Sequence, residues 1–385
     1  MKKINFTNVN PLSKKESFSV NKEIINTIKK KDFILGKNVI KFEKKFSKMS
    51  NSKYAIGCAN GTDALILALK SLNLKKNHEV IIPGMTYIST GLCVALNNIK
   101  LIFADINDDT GLISFESIKK KLSKNTRAII PVNLYGQKVD IKLLREIVGK
   151  KIFIIEDSAQ SHFASNCKNC KKNNHLLCYK KEKNNKYSDL SCYSFYPAKN
   201  LGAYGDAGMV TTNNINLYKK ISILRNLGAV KKNVHSYEGI NSRLDTLQAS
   251  ILLKKINLTP KYNNHRRIIS NYYDDKLAYV GDIKLTVTDP GSSKHLYVIR
   301  TKYRDKLGKF LKKKNIHSQI HYPYSMNKAG ALKEKSKKAN LPTSEMWANE
   351  CISLPLHPKI KISEIDYVIK VIREFFTKNG KYNNF

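Results

Sequence analysis

Three short stretches of the sequence combine residue types that could do chemistry together, and each lies close to the end of an apolar run. The first, Glu156-Asp157-Ser158-Ala159-Gln160, follows directly after a run that ends at Ile155. The second carries one lysine, Lys199, in a turn. The third, Asn60-Gly61-Thr62, stands at the start of a predicted helix. Ligands of open α/β sheets bind beyond the carboxyl ends of the strands, so the three stretches are candidates for one shared site.

Each stretch supplies a different chemical group. A lysine in a desolvated position has a lowered pKa and can form a Schiff base with a carbonyl. A carboxylate such as Asp157 can keep a ring nitrogen protonated by charge pairing. The amides at a helix start, together with the Thr62 hydroxyl, suit a phosphate dianion. These are the parts that a pyridoxal 5'-phosphate (PLP) site requires.

Taken singly, each stretch also has a plain structural interpretation. Asp157 could be a helix N-cap or an acid at a strand end, and Gly61-Thr62 could be ordinary helix capping. The glycines after Lys199 do not match the dinucleotide fingerprint, which requires a helix directly after the turn. They are Gly202, Gly205 and Gly208. The sequence therefore argues against a Rossmann site.

The elements that position these stretches are indicated by hydrophobic periodicity. Consecutive apolar residues predict strands buried on both faces at residues 79–83, 100–104, 127–131 and 151–155. Helical spacing between them predicts helices at residues 63–72, 89–98, 114–122 and 140–148. This alternation predicts an α/β domain with a mainly parallel sheet.

The flanking regions predict further elements. Helices are expected before the sheet at residues 21–31 and 39–49, and after it at residues 244–277, 305–314 and 364–376. Strands are expected at residues 296–301 and 316–320. We predict an N-terminal helical segment (1–50) and a large PLP-binding domain (51–245) with an inserted polar loop at 165–187. A long helix and a smaller C-terminal α/β domain make up residues 246–385.

Composition limits the class of protein. A chain of 385 residues with 42% hydrophobic residues can bury a substantial core. No apolar run approaches the roughly 18 residues that span a bilayer, so we expect a cytoplasmic protein without membrane association. A net charge of +39 could indicate a nucleic-acid partner. The lysines are spread along the whole chain, however, which is typical of a general compositional bias, and we expect no nucleic-acid partner.

Cysteine usage predicts reduced thiols, because the seven cysteines are an odd number in a chain without a signal peptide. Four residues in a lysine-rich stretch form the ligand set of a small structural zinc site, namely Cys167, Cys170, His175 and Cys178. Their closing spacing departs from the usual zinc knuckle. We therefore favour an unligated loop over a zinc site, and expect no catalytic metal.

The motifs together resemble the DegT/DnrJ/StrS sugar aminotransferases, a branch of the aspartate-aminotransferase-like (fold type I) PLP enzymes. The resemblance runs from about Phe33 to Leu356. It rests on five ordered motifs, which are Gly61–Leu65, Ile130–Gln137, Glu156–Gln160, Ser194–Gly208 and Asn241–Ala249. It implies the fold type I architecture and PLP as the cofactor.

The resemblance also implies residue roles. Lys199 would bind PLP covalently and later move a proton between the substrate carbon and the cofactor, and Asp157 would pair with the ring nitrogen. The other cofactor-binding positions are Gly61, Thr62 and Ser194 at the phosphate, Gln160 near the phenolic oxygen, and Tyr87 stacked on the ring. Asn241 would reach the phosphate in a neighbouring subunit, which implies a homodimer with shared active sites.

The finer resemblance concerns the substrate. The stretches 195–203 and 320–323 resemble members that aminate C3 of dTDP-3-keto-6-deoxyhexoses, with L-glutamate as amino donor. Tyr196, His321 and Tyr322 would face the sugar or its pyrophosphate, although His321 could instead be a packing residue. The alternatives are a 4-keto-sugar aminotransferase on a UDP- or dTDP-sugar and a non-catalytic PLP-fold regulatory protein. Dehydratases with this fold carry His in place of the lysine, so Lys199 argues against that activity.

Two positions depart from the family pattern. Ala198 stands where Gly or Thr is usual, which is a mild change. Phe163 stands where Gly is common, and we expect it to alter the wall near the cofactor.

Overall fold

A large mixed sheet forms the centre of the computed structural model, which describes residues 3–165, 186–332 and 339–378. Its strands are β1 (Tyr54–Cys58), β2 (Glu79–Pro83), β3 (Lys100–Ala104), β4 (Thr126–Ile129), β5 (Phe153–Asp157), β6 (Leu190–Ser194) and β7 (Gly208–Thr212). They lie in the order β1-β7-β6-β5-β4-β2-β3. The neighbours from β3 to β6 pair in parallel, and β7 runs antiparallel to both β6 and β1. The predicted mainly parallel sheet is confirmed.

Twelve α-helices surround the sheets in the described part of the chain. They are α1 (Lys14–Lys30), α2 (Lys37–Met49), α3 (Gly61–Ser71), α4 (Ile88–Leu96), α5 (Phe115–Lys121), α6 (Ile141–Val148), α7 (Ile215–Leu224), α8 (Thr246–Lys255), α9 (Thr259–Leu277), α10 (Arg304–Lys313), α11 (Pro342–Glu350) and α12 (Ile362–Lys378). Strand β2 is buried at every position. Such continuous burial is expected of a parallel strand whose two faces are both covered.

A smaller antiparallel sheet lies towards the C-terminus. It consists of β10 (Lys284–Leu285), β11 (Tyr297–Arg300) and β12 (Cys351–Leu354), in that order. Its core packs Tyr273 of α9 and Phe376 of α12 against Leu307 of α10, and all three side chains have no solvent exposure. A separate hairpin joins β8 (Ala229–Lys231) to β9 (Val234–His235) at the surface.

The structure corrects one predicted strand. Residues 316–320 do not form a strand; Ile316 and Gln319 make only isolated bridges, to Ile4 and Ser353. Strand β11 pairs with β10 on one side and, on the other, with β12, which comes later in the sequence. The apolar residues at 316–320 were the misleading signal, because Ile316 is buried by packing in the small core and not by strand pairing.

Several other boundaries differ from the sequence predictions. Helix α1 begins at Lys14, seven residues before the predicted start at residue 21, because Ser13 and Glu16 form a capping box there. Strand β1 was not predicted. The proposed zinc ligands Cys167, Cys170, His175 and Cys178 lie outside the described residues. In the described ranges no helix is both long and apolar enough to cross a membrane. The division into domains at residues 50 and 245 stays a prediction.

Candidate active site

One cavity of about 840 Å³ lies where the parallel strands β5 and β6 end. This volume is within the range of small-molecule and cofactor sites, and the position is the one expected for ligands of an α/β sheet. Ten of the eleven predicted site residues line it: Gly61, Thr62, Tyr87, Asp157, Gln160, Ser194, Tyr196, Lys199, His321 and Tyr322. The three stretches identified in the sequence therefore meet at one place.

Lys199 lies in the turn that follows β6. Its backbone amide donates a hydrogen bond to the carbonyl oxygen of Tyr196 at 2.8 Å, which closes the turn and directs the chain towards the cavity. Burial lowers the pKa of the Lys199 amine to about 8, although the nearby Asp157 carboxylate raises it. An amine with this pKa is partly unprotonated near neutral pH, as a Schiff-base lysine needs to be.

Strand alternation decides which acid of the Glu156-Asp157 pair faces the cavity, because consecutive side chains point to opposite sides of a sheet. Asp157 lines the cavity. Glu156 has no solvent exposure and is held on the other side by an ion pair with Lys138 and by the Asn133 amide at 2.9 Å. Burial raises the pKa of Glu156, but these partners hold it below its ordinary value. Asp157 is thus the acid available to a ligand.

A chain of hydroxyl groups orients the Asp157 carboxylate. Thr90 of α4 donates a hydrogen bond to Asp157 Oδ2 at 2.8 Å, and the hydroxyl of Thr86 lies 2.9 Å from that of Thr90. Since the Thr90 hydrogen points at the carboxylate, Thr90 accepts from Thr86. Ala159 N–H donates to the other oxygen, Oδ1, at 3.2 Å. Neither threonine was identified from the sequence. The available signal was their spacing of four residues just after β2, which places the two side chains on the same side of a helix start.

Removing the Thr90 hydroxyl tests this arrangement. Burial raises the pKa of Asp157, and the hydrogen bonds from Thr90 and Ala159 lower it. Thr90→Val is therefore expected to raise this pKa further, because the charged carboxylate loses one hydrogen bond. The acidic limb of the kcat–pH profile should move to higher pH. Thr90→Ser, which keeps the hydroxyl, should retain the wild-type profile; equal profiles for Thr90→Val and wild type would refute the role.

The start of α3 and the end of β6 form a cradle for a phosphate. Asn60 caps the helix by accepting from Asp63 N–H at 2.8 Å. A Cβ atom at Gly61 would lie 2.6 Å from the Cβ of Ser194, so only glycine allows this close approach. The hydroxyls of Thr62 and Ser89 lie 2.8 Å apart and both residues line the cavity. Ser89 at the start of α4 is a further hydroxyl that the sequence analysis did not identify.

The residues present fit PLP. A helix N-terminus with three hydroxyl side chains suits its phosphate, a buried carboxylate suits its ring nitrogen, and a lysine of low pKa suits its aldehyde. The phosphate group would be held at the start of α3 by Thr62, Ser89 and Ser194. Asp157 would pair with the ring nitrogen, and Lys199 would react with the aldehyde.

Gln160 is fixed from both ends of its amide. Its Oε1 accepts from Tyr135 N–H at 2.6 Å, and its Nε2 donates to the Tyr322 hydroxyl at 2.8 Å. The ring of Tyr87 lies 5.7 Å from that of Tyr322, and Tyr87 is 55% exposed. Tyr322 and Tyr87 therefore form one aromatic side of the cavity, which suits a flat ring or a sugar.

His321 both packs against the protein and lines the cavity. Its ring stacks on Phe6 with centroids 5.6 Å apart, and its Nδ1 lies 2.9 Å from the Ser353 hydroxyl. Burial, together with the charge of Lys199, lowers the pKa of His321 to about 4, so the ring is neutral near pH 7. Phe6 belongs to an N-terminal segment that contributes Thr7 and Val9 to the cavity wall as well. This segment was not predicted from the sequence to belong to the site.

Asn241 is the predicted site residue that does not line the cavity of its own chain; its side chain is exposed. Two other residues of the Asn241–Ala249 motif pack beside the phosphate cradle. Ser242 has no exposure and accepts a hydrogen bond from Ala59 N–H at 3.1 Å, just before the phosphate cradle. Leu244 packs so close to β1 that a Cβ at Gly57 would lie 2.8 Å from it. These contacts hold the cradle in place.

Phe163 does not line the cavity, contrary to our expectation for this departure from the family pattern. Its backbone has a φ of +57°, a conformation that favours glycine. The ring is 5% exposed and packs 5.8 Å from the ring of Phe46. Burial of the aromatic ring in this cluster offsets the backbone strain, so the substitution changes the core behind the site and not its wall.

Comparison with known proteins identifies the family. The model of the DegT/DnrJ/EryC1/StrS aminotransferase family matches residues 15–373. A dTDP-3-amino-3,4,6-trideoxy-alpha-D-glucose transaminase of Streptomyces venezuelae is 32% identical over 347 residues, covering 89% of this chain and 88% of that protein. A UDP-2-acetamido-2-deoxy-3-oxo-D-glucuronate aminotransferase of Pseudomonas aeruginosa is 35% identical over 338 residues, covering 87% and 90%.

The fold is shared with solved structures. The crystal structure of DesV from S. venezuelae, in complex with a ketimine intermediate, superposes with a TM-score of 0.89 at 29% identity and covers 97% of this chain and 99% of that one. The predicted aspartate-aminotransferase-like fold is thus confirmed, and so is the prediction of an enzyme rather than a non-catalytic protein. This chain belongs to the DegT/DnrJ/EryC1/StrS aminotransferase family, and its cofactor is PLP.

Proposed function

We propose that the enzyme transfers an amino group from L-glutamate to C3 of a nucleotide-linked 3-keto-sugar, with a dTDP-3-keto-6-deoxyhexose as the substrate. The observation that carries the proposal is that Tyr196, His321 and Tyr322 line the same cavity as Lys199 and Asp157. They belong to the two stretches that resemble C3 aminotransferases. The names of the two relatives also refer to position 3 of the sugar, one with dTDP and one with UDP as the nucleotide.

Bound PLP supplies an electron sink for the charge that develops when a proton leaves the substrate carbon. In the proposed mechanism Lys199 holds the cofactor through its Nζ. After release by the amino donor, the same Nζ moves a proton between the substrate carbon and the cofactor, for which an amine with a pKa of about 8 is suited. Asp157 holds the proton on the ring nitrogen, and Thr90 keeps its carboxylate in place.

The cavity wall provides groups for the sugar nucleotide. The neutral ring of His321 can exchange hydrogen bonds without repelling the Lys199 ammonium group, because burial holds its pKa at about 4. The Tyr322 hydroxyl already accepts from Gln160, which leaves its own hydrogen free to donate to the sugar. Tyr196 is 55% exposed at the rim and offers a flat apolar surface. The basic chain attracts the pyrophosphate.

We also propose a homodimer in which Asn241 completes the phosphate site of the neighbouring subunit. The exposure of Asn241, its absence from the cavity of its own chain and the half-exposed Tyr87 and Tyr196 at the rim support this arrangement. Sedimentation of the active enzyme as a monomer would contradict it.

The substrate proposal is tested with the PLP-loaded enzyme and L-glutamate against dTDP- and UDP-linked 3-keto- and 4-keto-sugars. We expect amination of the dTDP-linked 3-keto-6-deoxyhexose with the highest kcat/KM, and mass spectrometry with NMR of the product should locate the amino group at C3. Discrimination between nucleotides is expected to be weaker than between keto positions, because the keto position decides whether the reacting carbon meets Lys199.

The same panel contains the outcomes that contradict the proposal. A higher kcat/KM for a 4-keto-sugar would contradict amination at C3 and support amination at C4. A higher kcat/KM for UDP-linked sugars would contradict dTDP as the nucleotide. If L-glutamate leaves the visible absorbance of the bound cofactor unchanged, L-glutamate is not the amino donor.

A further inference from the structure

A buried network of amides beside Lys199 determines which ring nitrogen of one histidine carries the hydrogen. The network contains Asn263, Asn200 and His295, which are 1%, 9% and 8% exposed. Asn200 directly follows Lys199, and His295 lines the reaction cavity. Neither Asn200 nor His295 was identified as a functional residue from the sequence.

Two backbone carbonyls fix the orientation of both asparagines. Asn263 Nδ2 donates to the carbonyl of His162 at 2.9 Å, so its Oδ1 faces Asn200. Asn200 Nδ2 donates to that Oδ1 at 2.7 Å and to the carbonyl of Ser293 at 2.8 Å. A carbonyl can only accept, and the nitrogen of each amide must therefore lie on the side where the carbonyl is.

The orientation of Asn200 in turn fixes the tautomer of His295. Its Oδ1 lies 3.0 Å from His295 Nδ1, and an amide oxygen cannot donate. Nδ1 must therefore carry the hydrogen. Burial lowers the pKa of His295 well below its ordinary value, and the positive charges of Lys199 and Arg266 add to this effect. The ring is therefore neutral, and Nε2 carries a lone pair without a hydrogen.

His295 lines the cavity, and its Nε2 is neither sealed inside the protein nor bonded to any residue that the structure describes, so we infer that Nε2 faces the cavity. Two other acceptors in the wall already have partners: Asp157 accepts from Thr90 and Ala159, and Gln160 Oε1 accepts from Tyr135. A sugar brings several hydroxyl donors into this cavity. Those donors lose hydrogen bonds to water on binding and need acceptors in the wall.

We propose that His295 is a further substrate-binding residue, whose unprotonated Nε2 accepts a hydrogen bond from a hydroxyl group of the sugar. The inference rests on the proposed function for the identity of the donor, but the tautomer does not depend on it. The backbone of His295 is also held in place. Its backbone N–H donates to the Tyr135 carbonyl at 2.9 Å, and a Cβ at Gly136 would lie 2.6 Å from its backbone nitrogen.

The tautomer is tested by NMR of the PLP-loaded enzyme labelled with ¹⁵N at its histidines, with His295→Gln used to assign the signal. We expect the neutral Nδ1–H form at pH 7. His357 is a matched internal control, since it is equally buried but its Nδ1 accepts from Lys359 N–H at 3.3 Å and must carry its hydrogen on Nε2. An Nε2–H form or an imidazolium at His295 would overturn the inference.

The role in binding is tested by separating the two halves of the reaction. His295→Phe removes the acceptor and should lower kcat/KM for the keto-sugar by about tenfold, the effect of one hydrogen bond to a substrate hydroxyl. The rate with L-glutamate alone should stay within about twofold of the wild-type rate, because the sugar takes no part in that half of the reaction. His295→Gln, whose Oε1 can accept, should recover part of the loss, and His357→Gln should leave both halves unchanged.

The outcomes distinguish this inference from the proposed function. Equal slowing of both halves in His295→Phe would mean a general structural or proton-transfer role and would overturn substrate binding by His295. An unchanged sugar half would overturn it as well. If the wild-type enzyme aminates none of the sugars tested, the proposed function fails, and with it the sugar as the donor to Nε2, while an Nδ1–H signal would still support the acceptor assignment.

Discussion

Replacing Lys199 by Ala is expected to abolish transamination and the covalent link to PLP together. In the proposed mechanism the variant loses both the Schiff-base amine and the proton-transfer group, so kcat should fall by at least about 10⁴-fold, the upper range for a single acid–base group. Borohydride reduction followed by peptide mass spectrometry should find the cofactor on Lys199 in the wild type and on no lysine in the variant. The fold should be retained, because the side chain lines a cavity and its amine makes no hydrogen bond to any residue that the structure describes.

Lys255 is the matched control for this experiment. Burial lowers its pKa to about 8 as well, but its amine donates to the Gly202 carbonyl and lies outside the 840 Å³ cavity. A low pKa alone would make Lys255 as reactive as Lys199. Trapping of the cofactor on Lys255 in either protein would refute the assignment, whereas labelling of Lys199 alone shows that position in the cavity decides.

Replacing Asp157 by Asn is expected to lower kcat by about 10³-fold while the cofactor remains attached to Lys199. An amide cannot hold the proton on the ring nitrogen by charge pairing, so the electron sink is weakened. That figure lies within the range for loss of one proton-holding group. The single-turnover rate with L-glutamate measures the loss, and the pH dependence of the cofactor's absorbance reports the protonation of its ring nitrogen. A normal rate in Asp157→Asn would exclude the assigned role.

Glu156→Gln separates this effect from a general loss of negative charge. The substitution leaves Lys138, which is 8% exposed, without its buried partner, and we expect it to cost about 3 kcal/mol of unfolding free energy. The rate per bound cofactor should nevertheless stay close to that of the wild type. Chemical denaturation measures the first effect and single-turnover kinetics the second. Equal kinetic defects in the two variants would indicate that both acids act on the reaction.

The main elements of the fold could be predicted because strong local signals mark them. The apolar runs at residues 79–83 and 100–104 coincide with β2 and β3. Where packing and local pattern disagree, prediction failed. Ile316 is apolar but belongs to the small core, and the two strands that pair with β11 come from residues 284–285 and 351–354. Apolar periodicity records burial, and it does not say whether a strand partner or a core buries the residue.

The candidate site was predictable in its parts and not in its interactions. Lys199, Asp157 and the Gly61-Thr62 cradle each stand in a motif whose residue types carry the chemistry. Ser89 and His295 were missed because a lone serine or histidine has no distinctive pattern. Thr90 was missed because its spacing of four residues from Thr86 does not identify Asp157 as its partner. Their functions depend on partners: Thr90 is 67 residues from Asp157, and His295 is 95 residues from Asn200.

The sequence by itself determined the class of chemistry and the elements that carry it: an α/β sheet, a lysine turn, an acid after a strand and a helix start for a phosphate. Tertiary structure alone decided which acid faces the cavity, how Thr90 orients its carboxylate and which nitrogen of His295 carries the hydrogen. The physical reason is that residue type sets which groups can ionise or bond. Burial and partners from distant segments set the pKa and orientation of each group.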